Sequence, residues 1–368
     1  MSGLATRAST PGRAAGDYFA LAARAVPGLD GLRGLACLMI FNVHYFAQFA
    51  HEEYFTTPGS PAHTALRILH SGSHGVEIFF VISGFLIYGS IQRKRPVLVR
   101  FFLERYKRLL PVVLVINIPA LYWINAGWKD VADNLFFLQL FPGSTLVTFV
   151  TWALVYEMYF YLLCGVWLIL LGRGKRGTPW LSFGLIVALY AANSLVFKVH
   201  PVLSDWRFVG FFAGMALAML REDKRTAPLV ARVPHGIWPV CTALLFAGCW
   251  LWSRDVVGAL SARSPALALG YFAAYDVVVA VLAASFLNAG PGQGSIYTWK
   301  GLRVVGAVSY SLFLLHTQWG LPLATSLWGG RPESLAGIAP HYVWSLGLSL
   351  AMATFLYVHL ERFYFRRR

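Results

Sequence analysis

Long apolar runs separated by short polar breaks recur from residue 34 almost to the C-terminus of the 368-residue chain. Ten of them approach or exceed the length a helix needs to cross a hydrocarbon core of about 30 Å. They lie at about 33–50, 75–91, 109–126, 149–171, 180–197, 206–220, 236–253, 266–288, 303–327 and 340–360. The stretch from Val131 to Val147 is apolar only in part. Asp130, Asp133, Asn134 and the Pro142-Gly143 break suit an interfacial or re-entrant piece better than a span. The pattern predicts an all-α polytopic membrane protein with about ten transmembrane helices.

Charge fixes the orientation. Of the 31 basic residues, 24 fall in the tails and in the connections at 92–108, 172–179, 221–235 and 289–302, with Arg33 and Arg303 at the adjoining span ends counted there, and only 7 in the alternate loops, with Arg207 counted in the loop before it. By the positive-inside rule both termini of this multi-pass protein face the cytoplasm. Counting 131–147 as an eleventh span would invert every later loop and put Arg366, Arg367 and Arg368 outside. The composition agrees, at 57% hydrophobic and 13% charged residues, where soluble domains carry about 25% charge. A net charge of +15 would suit nucleic acid only if the basic residues gathered on a soluble surface; here they sit in short clusters between apolar runs.

Cys37, Cys164, Cys241 and Cys249 all fall inside apolar runs without metal-ligand spacing, so neither a disulfide framework nor a metal site is expected. Residues 1–28 read as a flexible cytoplasmic tail with a short amphipathic piece from Tyr18 to Val26. The membrane domain occupies 29–364, and 365–368 form a basic cytoplasmic end. His63, His70 and His74 in the first outer loop include an i,i+4 pair, but with no acidic third ligand they read as solvated loop histidines.

Titratable groups inside spans cost about 2.5 to 3.5 kcal/mol at mid-membrane and need an explanation. His44, Glu77, Glu157 and His316 stand out. Arg33 and His44, eleven residues apart, share one helix face about 16 Å apart, with Arg33 at the cytoplasmic edge. By the same counting His316 and Glu157 reach similar depths, so all three deep groups could meet near mid-membrane. Each has a plainer reading: a core histidine satisfied by a carbonyl, an anchoring arginine, a cross-helix Glu157–His316 pair, and a Glu77 that snorkels into water. The run Arg100, Arg105, Lys107, Arg108 has its own, contact with anionic lipid headgroups.

Leu29-Asp30-Gly31-Leu32-Arg33-Gly34 followed by His44 resembles the Arg-x10-His signature of the acyltransferase 3 family of membrane O-acyltransferases. GVEIFFVISGFLI from Gly75 to Ile87 is similar to the family's second helix, and Arg100, Arg105, Arg108 and Pro111 to its basic segment before the third. Trp152-Ala153-Leu154 with Glu157, Phe160 and Tyr161 resembles a Trp-Ser-Leu-x-x-Glu-x-x-Phe-Tyr pattern. Ser309 to Phe313 with His316 is close to Ser-Tyr-Ser-Leu-Tyr-x-x-His, and Glu361 sits where the family closes its last helix. The six patterns occur in order and cover about residues 29 to 364. Departures are Ala153 for Ser, Glu77 for the commoner Asp, and Phe363 where Pro often stands.

The resemblance implies an enzyme that moves an acyl group, often acetyl, from cytoplasmic acyl-coenzyme A to a hydroxyl of a sugar, polysaccharide or small molecule. Many members carry an added esterase-like domain, for which this chain has no room; from spacing and charge placement, neither a metal nor a nucleic acid is expected. His44 is then the expected catalytic base, since imidazole's ordinary pKa lies near neutrality, with Glu157 or His316 orienting it. Arg33, Arg105 and Arg108 would hold the donor's phosphates, as guanidinium groups do well. A covalent acyl-histidine relay is a variant. The competing class is a membrane transporter with a buried His/Glu proton relay, against which stand the lack of an internal repeat and the six ordered patterns. The topology makes the first prediction: a cysteine placed at residue 175 or in the C-terminal tail stays unlabelled by an impermeant thiol reagent in intact cells and reacts once they are opened. Labelling from outside would invert the assignment.

Overall fold

A computed structural model describes residues 26–50, 60–94, 97–138, 144–171, 179–198, 201–290 and 292–362, all of it helix, turn and coil without a strand among those residues. The basic end at 365–368, and the tail piece from Tyr18 apart from Val26, lie outside them. The main helices are α1 (Pro27–Ala50), α2 (Gly75–Lys94), α3 (Leu98–Trp123), α4 (Trp152–Leu171), α5 (Pro179–Ala192), α6 (Val209–Glu222), α7 (Trp238–Ser253) and α8 (Pro265–Leu287). A broken rod follows, α9 (Lys300–Ala307), α10 (Ser309–Leu315) and α11 (Leu321–Trp328), and then α12 (Leu335–Leu356).

Every predicted span falls on helix. Five segments are long and apolar enough to cross a bilayer by themselves: Pro61–Arg93, Pro179–Phe197, His235–Ser253, Pro265–Leu287 and Leu335–Glu361. The protein is therefore a polytopic all-α membrane protein. The other helices are shorter, interrupted, or carry the charges of the candidate site. Within 131–147 the chain forms the short helix Trp128–Leu135, capped by Asp130, whose side chain accepts from Gly127 N and from the Thr145 hydroxyl. Buried Asn134 donates to the carbonyls of Asp130 and Thr145, which folds this piece back on itself; residues 139–143 lie outside the described part.

Two helix crossings hold the centre together, and both are made by glycine. A Cβ on Gly34 would stand 2.0 Å from the carbonyl oxygen of Leu302, and one on Gly306 would stand 1.9 Å from that of Asp30, so α1 and α9 touch backbone to backbone. Between α2 and α6 the same contact is made by Gly84 on the Phe211 carbonyl (2.1 Å) and Gly214 on that of Val81 (1.9 Å). In lipid, where helices gain little from hiding apolar surface from one another, such close approach supplies much of the association energy.

The rod α9–α11 is bent by chemistry as well as packing. A five-residue π turn, His316–Gly320, separates α10 from α11. Pro322, at the start of α11, has no N–H to give the carbonyl four residues back, and its ring crowds that carbonyl, so the preceding turn widens. Gly320 lets the widened turn sit on α12, where a Cβ would meet Ser349 Oγ at 2.4 Å. A second π turn, Tyr357–Glu361, ends the last helix. All four cysteine thiols are buried and unbridged. Gly214→Val should lower the thermal midpoint of the purified protein by the equivalent of about 1–3 kcal/mol or more, because the new methyls meet backbone that has no room to yield. A Gly214→Val protein as stable as the parent would show the crossing to be looser than its geometry.

Candidate active site

Two histidines predicted from their depth meet. His44 Nδ1 lies 2.9 Å from His316 Nε2, with ring centroids 4.9 Å apart. Each ring is also tied to its own helix one turn back, His316 Nδ1 to the Leu312 carbonyl and His44 Nδ1 to the Ile40 carbonyl, both at 3.0 Å. A carbonyl only accepts, so each Nδ1 carries the hydrogen. His316 Nε2 is then a lone pair facing His44 Nδ1–H, and the bonds run in one direction, from His44 through His316 to the carbonyl of Leu312. The nitrogen left with a free lone pair is His44 Nε2. Around the pair, Phe41 packs on His316 and Phe149 stands edge-on to His44 at 6.1 Å; His316 is fully buried and His44 half-buried.

Glu157 is elsewhere. It accepts a hydrogen bond from Tyr161 and opens, with Arg33, Arg105 and Arg108, onto a cavity with about 790 Å³ of empty space including its mouth. The expected meeting of all three deep groups thus gives way to two places, an imidazole pair and an arginine-lined cavity. The reason is rotational: the carboxyl of Glu157 faces the cavity, with Tyr161, Arg108 and Arg33 around it, whereas the two imidazoles stand outside the cavity lining.

The cavity gathers the three arginines named from sequence. Arg33 Nη2 donates to the Ser309 hydroxyl at 3.2 Å, and Cys37 Sγ reaches the Ser309 carbonyl at 3.6 Å, which fixes α1 on α10 at the cavity wall. The Arg105 guanidinium is buried over the rings of Phe101 and Tyr161, at 5.6 and 5.8 Å. Arg108 lies in the field of Glu157 and Glu361 and close enough to Arg33 for the two to repel. Glu361, on the final π turn, accepts from Ser311, so the end of the last helix is stitched to α10 beside the arginines. Along α2 the lining runs from Ile87 to Val76, eleven residues or about 16 Å, from the arginine end to an apolar end.

A second buried polar cluster corrects two readings. Glu77 does not snorkel: it is fully buried, 3.2 Å from Arg207 Nε and 3.3 Å from His74 Nδ1. His74 is no solvated loop residue either, being 1% exposed and enclosed by Trp252, Tyr271, Phe272 and Tyr275, with Nε2 at 2.7 Å from the Tyr271 hydroxyl. Arg207, a loop charge in the sequence, supplies the counter-ion and lies over Trp152 and Trp252. Asp276, fully buried beside Glu77, was missed, although it is a charge in the middle of a predicted span and satisfied the criterion that picked out the others. Ser309 and Ser311 stood in the sequence only as members of the Ser-Tyr-Ser-Leu pattern, with no role given to their hydroxyls until their partners Arg33 and Glu361 are seen. Among the described residues no group of three or more His, Cys, Asp or Glu is arranged to hold a metal ion.

With this geometry in view, the family is plain: residues 26–358 match the acyltransferase domain model, and the chain belongs to that family of membrane acyltransferases. Its relatives are bacterial, and it is a bacterial integral membrane protein. The peptidoglycan O-acetyltransferase OatA of Listeria monocytogenes is 22% identical over 79% of this chain and 49% of its own length. A Staphylococcus aureus protein provisionally named an O-acetyltransferase is 25% identical over 80% of this chain and 50% of its own. YrhL of Bacillus subtilis, provisionally named a peptidoglycan O-acetyltransferase, is 24% identical over 80% and 48%. The chain thus spans about half the length of the curated relatives it matches. No solved structure matches it.

Proposed function

We propose that this protein transfers an acyl group, acetyl in the first instance, from cytoplasmic acyl-coenzyme A to a hydroxyl of a carbohydrate or small-molecule acceptor, within a bundle of ten crossings whose termini both face the cytoplasm. The observation that carries the reading is the directed imidazole pair, which leaves His44 Nε2 with a free lone pair, while His316 is in ring contact with Phe313 of the cavity that gathers three guanidinium groups. Arg33, Arg105 and Arg108 bind the donor's phosphates, and the cavity's long apolar wall takes the arm that ends in the thioester. His44 Nε2 removes the acceptor's hydroxyl proton as the oxygen attacks the thioester carbonyl. The carbon–sulfur bond breaks, the ester forms, and the thiolate takes the proton back from Nε2, so no proton is gained or lost overall. His316 fixes the tautomer and ring angle of the base and shares the positive charge that develops on it. Glu157, held by Tyr161, sets the field in which the arginines sit. That all the named relatives are O-acetyltransferases by name supports the acetyl and hydroxyl assignments.

His44→Ala should lower acyl transfer by about 10² to 10⁴ while the protein still inserts and folds, since loss of a general base costs a rate of that order. His316→Ala should cost less, because the lone pair of His44 survives it. Radiolabelled acyl transfer by purified protein measures both, and a His44 variant within a few-fold of the parent would sink the assignment. The Arg105→Ala/Arg108→Ala double variant should raise the dissociation constant for acyl-coenzyme A at unchanged protein level. Calorimetric titration with the donor reads this directly, and unaltered affinity would return those arginines to anchoring in lipid headgroups.

A further inference from the structure

The arginine cavity and the imidazole pair are separate places, and one side chain belongs to both. Phe313 lines the cavity, and its ring centroid lies 6.2 Å from that of His316. On its other side it stands 6.2 Å from Phe79, a second lining residue, with the rings at 64°. Neither His44 nor His316 lines the cavity. A thioester whose phosphates are held at Arg33, Arg105 and Arg108 therefore presents its carbonyl to His44 past the edge of Phe313.

Phe313 has little freedom to withdraw. It is 7% exposed, its neighbours Leu312 and Leu314 are fully buried, and the Leu312 carbonyl is tied to His316 Nδ1. Phe79 is only half-buried and is the ring that can give way. Beyond the pair the wall is closed by Phe80, Leu154 and Val76, all at most 5% exposed, so an acyl chain that fails to pass Phe313 meets a packed apolar end.

We propose that Phe313, opposed by Phe79, is the specificity-determining residue that limits the transferred acyl group to a short one, of about two to four carbons. The inference rests on the acyl-transfer reading above and adds the class of acyl donor. A ring pair in edge contact leaves room for a carbonyl and a methyl group when Phe79 tilts. Each further methylene has to displace a ring in a core packed as densely as an organic crystal. The arginines take no part in this choice, because coenzyme A is the same whatever acyl group it carries.

The test compares kcat/KM for acetyl-, butanoyl- and octanoyl-coenzyme A in the full-length protein, in detergent or nanodiscs, for the parent and for Phe313→Ala, Phe313→Leu and Phe79→Ala. The parent should prefer acetyl. Phe313→Ala should raise the octanoyl-to-acetyl ratio by about tenfold or more, the worth of a methylene or so in an apolar pocket, with Phe313→Leu between the two. An unchanged ratio in folded Phe313→Ala and Phe79→Ala overturns the proposal, as does a parent enzyme that uses all three donors equally well. Should Phe313→Ala not fold, the ratios of the leucine and Phe79 variants decide by themselves. A parent that consumes no thioester at all overturns the acyl-transfer reading and this inference with it, an outcome distinct from intact transfer without length selection.

Discussion

The site depends on the backbone contact between α1 and α9. Gly34 against Leu302 and Gly306 against Asp30 bring two helices to a separation no other side chains would allow, and each helix carries part of the candidate site. Arg33 and His44 lie on α1; Ser309, Phe313 and His316 lie on the rod that α9 begins. The hydrogen bonds between the halves, Arg33 to Ser309 and His44 to His316, are made by side chains of modest reach, and would lapse if the axes stood one methyl group further apart. Apolar burial does not fix such a distance within a bilayer, where lipid competes for the same surface. Glycine does.

Around this seam most buried titratable groups are paired inside the protein, as the cost of leaving charge bare in hydrocarbon demands; Asp276, beside Glu77, is the exception among those described above. The pairing takes two forms. Glu77 is locked by His74 and Arg207 within a wall of aromatic rings, a closed arrangement with no lining residue in the arginine cavity. The arginines near Glu157 and Glu361 are instead left crowded against one another around an open space. The first arrangement is closed by rings and ties helices together, whereas the second mixes arginines and carboxylates along the wall of a cavity.

Much of this was legible in the residues. The all-α membrane architecture follows from apolar length, and the approach of His44 to His316 from matching depth, although Glu157 was expected to join them. The convergence of Arg33, Arg105 and Arg108 followed from a resemblance and from nothing in their spacing. What could not be read is rotation about helix axes, which places Glu157 on the cavity beside Tyr161 and Arg33 while His44 and His316 pair outside its lining. Depth is a one-dimensional quantity that counting residues supplies, while facing depends on which neighbour comes nearest, and that is set by contacts hundreds of residues apart. His74 and Glu77 were misjudged for a related reason: both stand at a helix end, where water is the default partner, and the arginine that excludes water there comes from a loop more than a hundred residues later.

The directed pair of imidazoles has a mechanical side. Each ring is anchored to the carbonyl of its own helix, so neither can follow the other if the helices slide. One residue of axial slip is about 1.5 Å, half the length of the bond between them, and is enough to uncouple the two rings. A bilayer that is too thick or too thin changes helix tilt by amounts that produce such slips. The pair is in that sense a gauge of its surroundings, and on the proposed reading the lipid annulus in which the protein is kept belongs among the determinants of its rate.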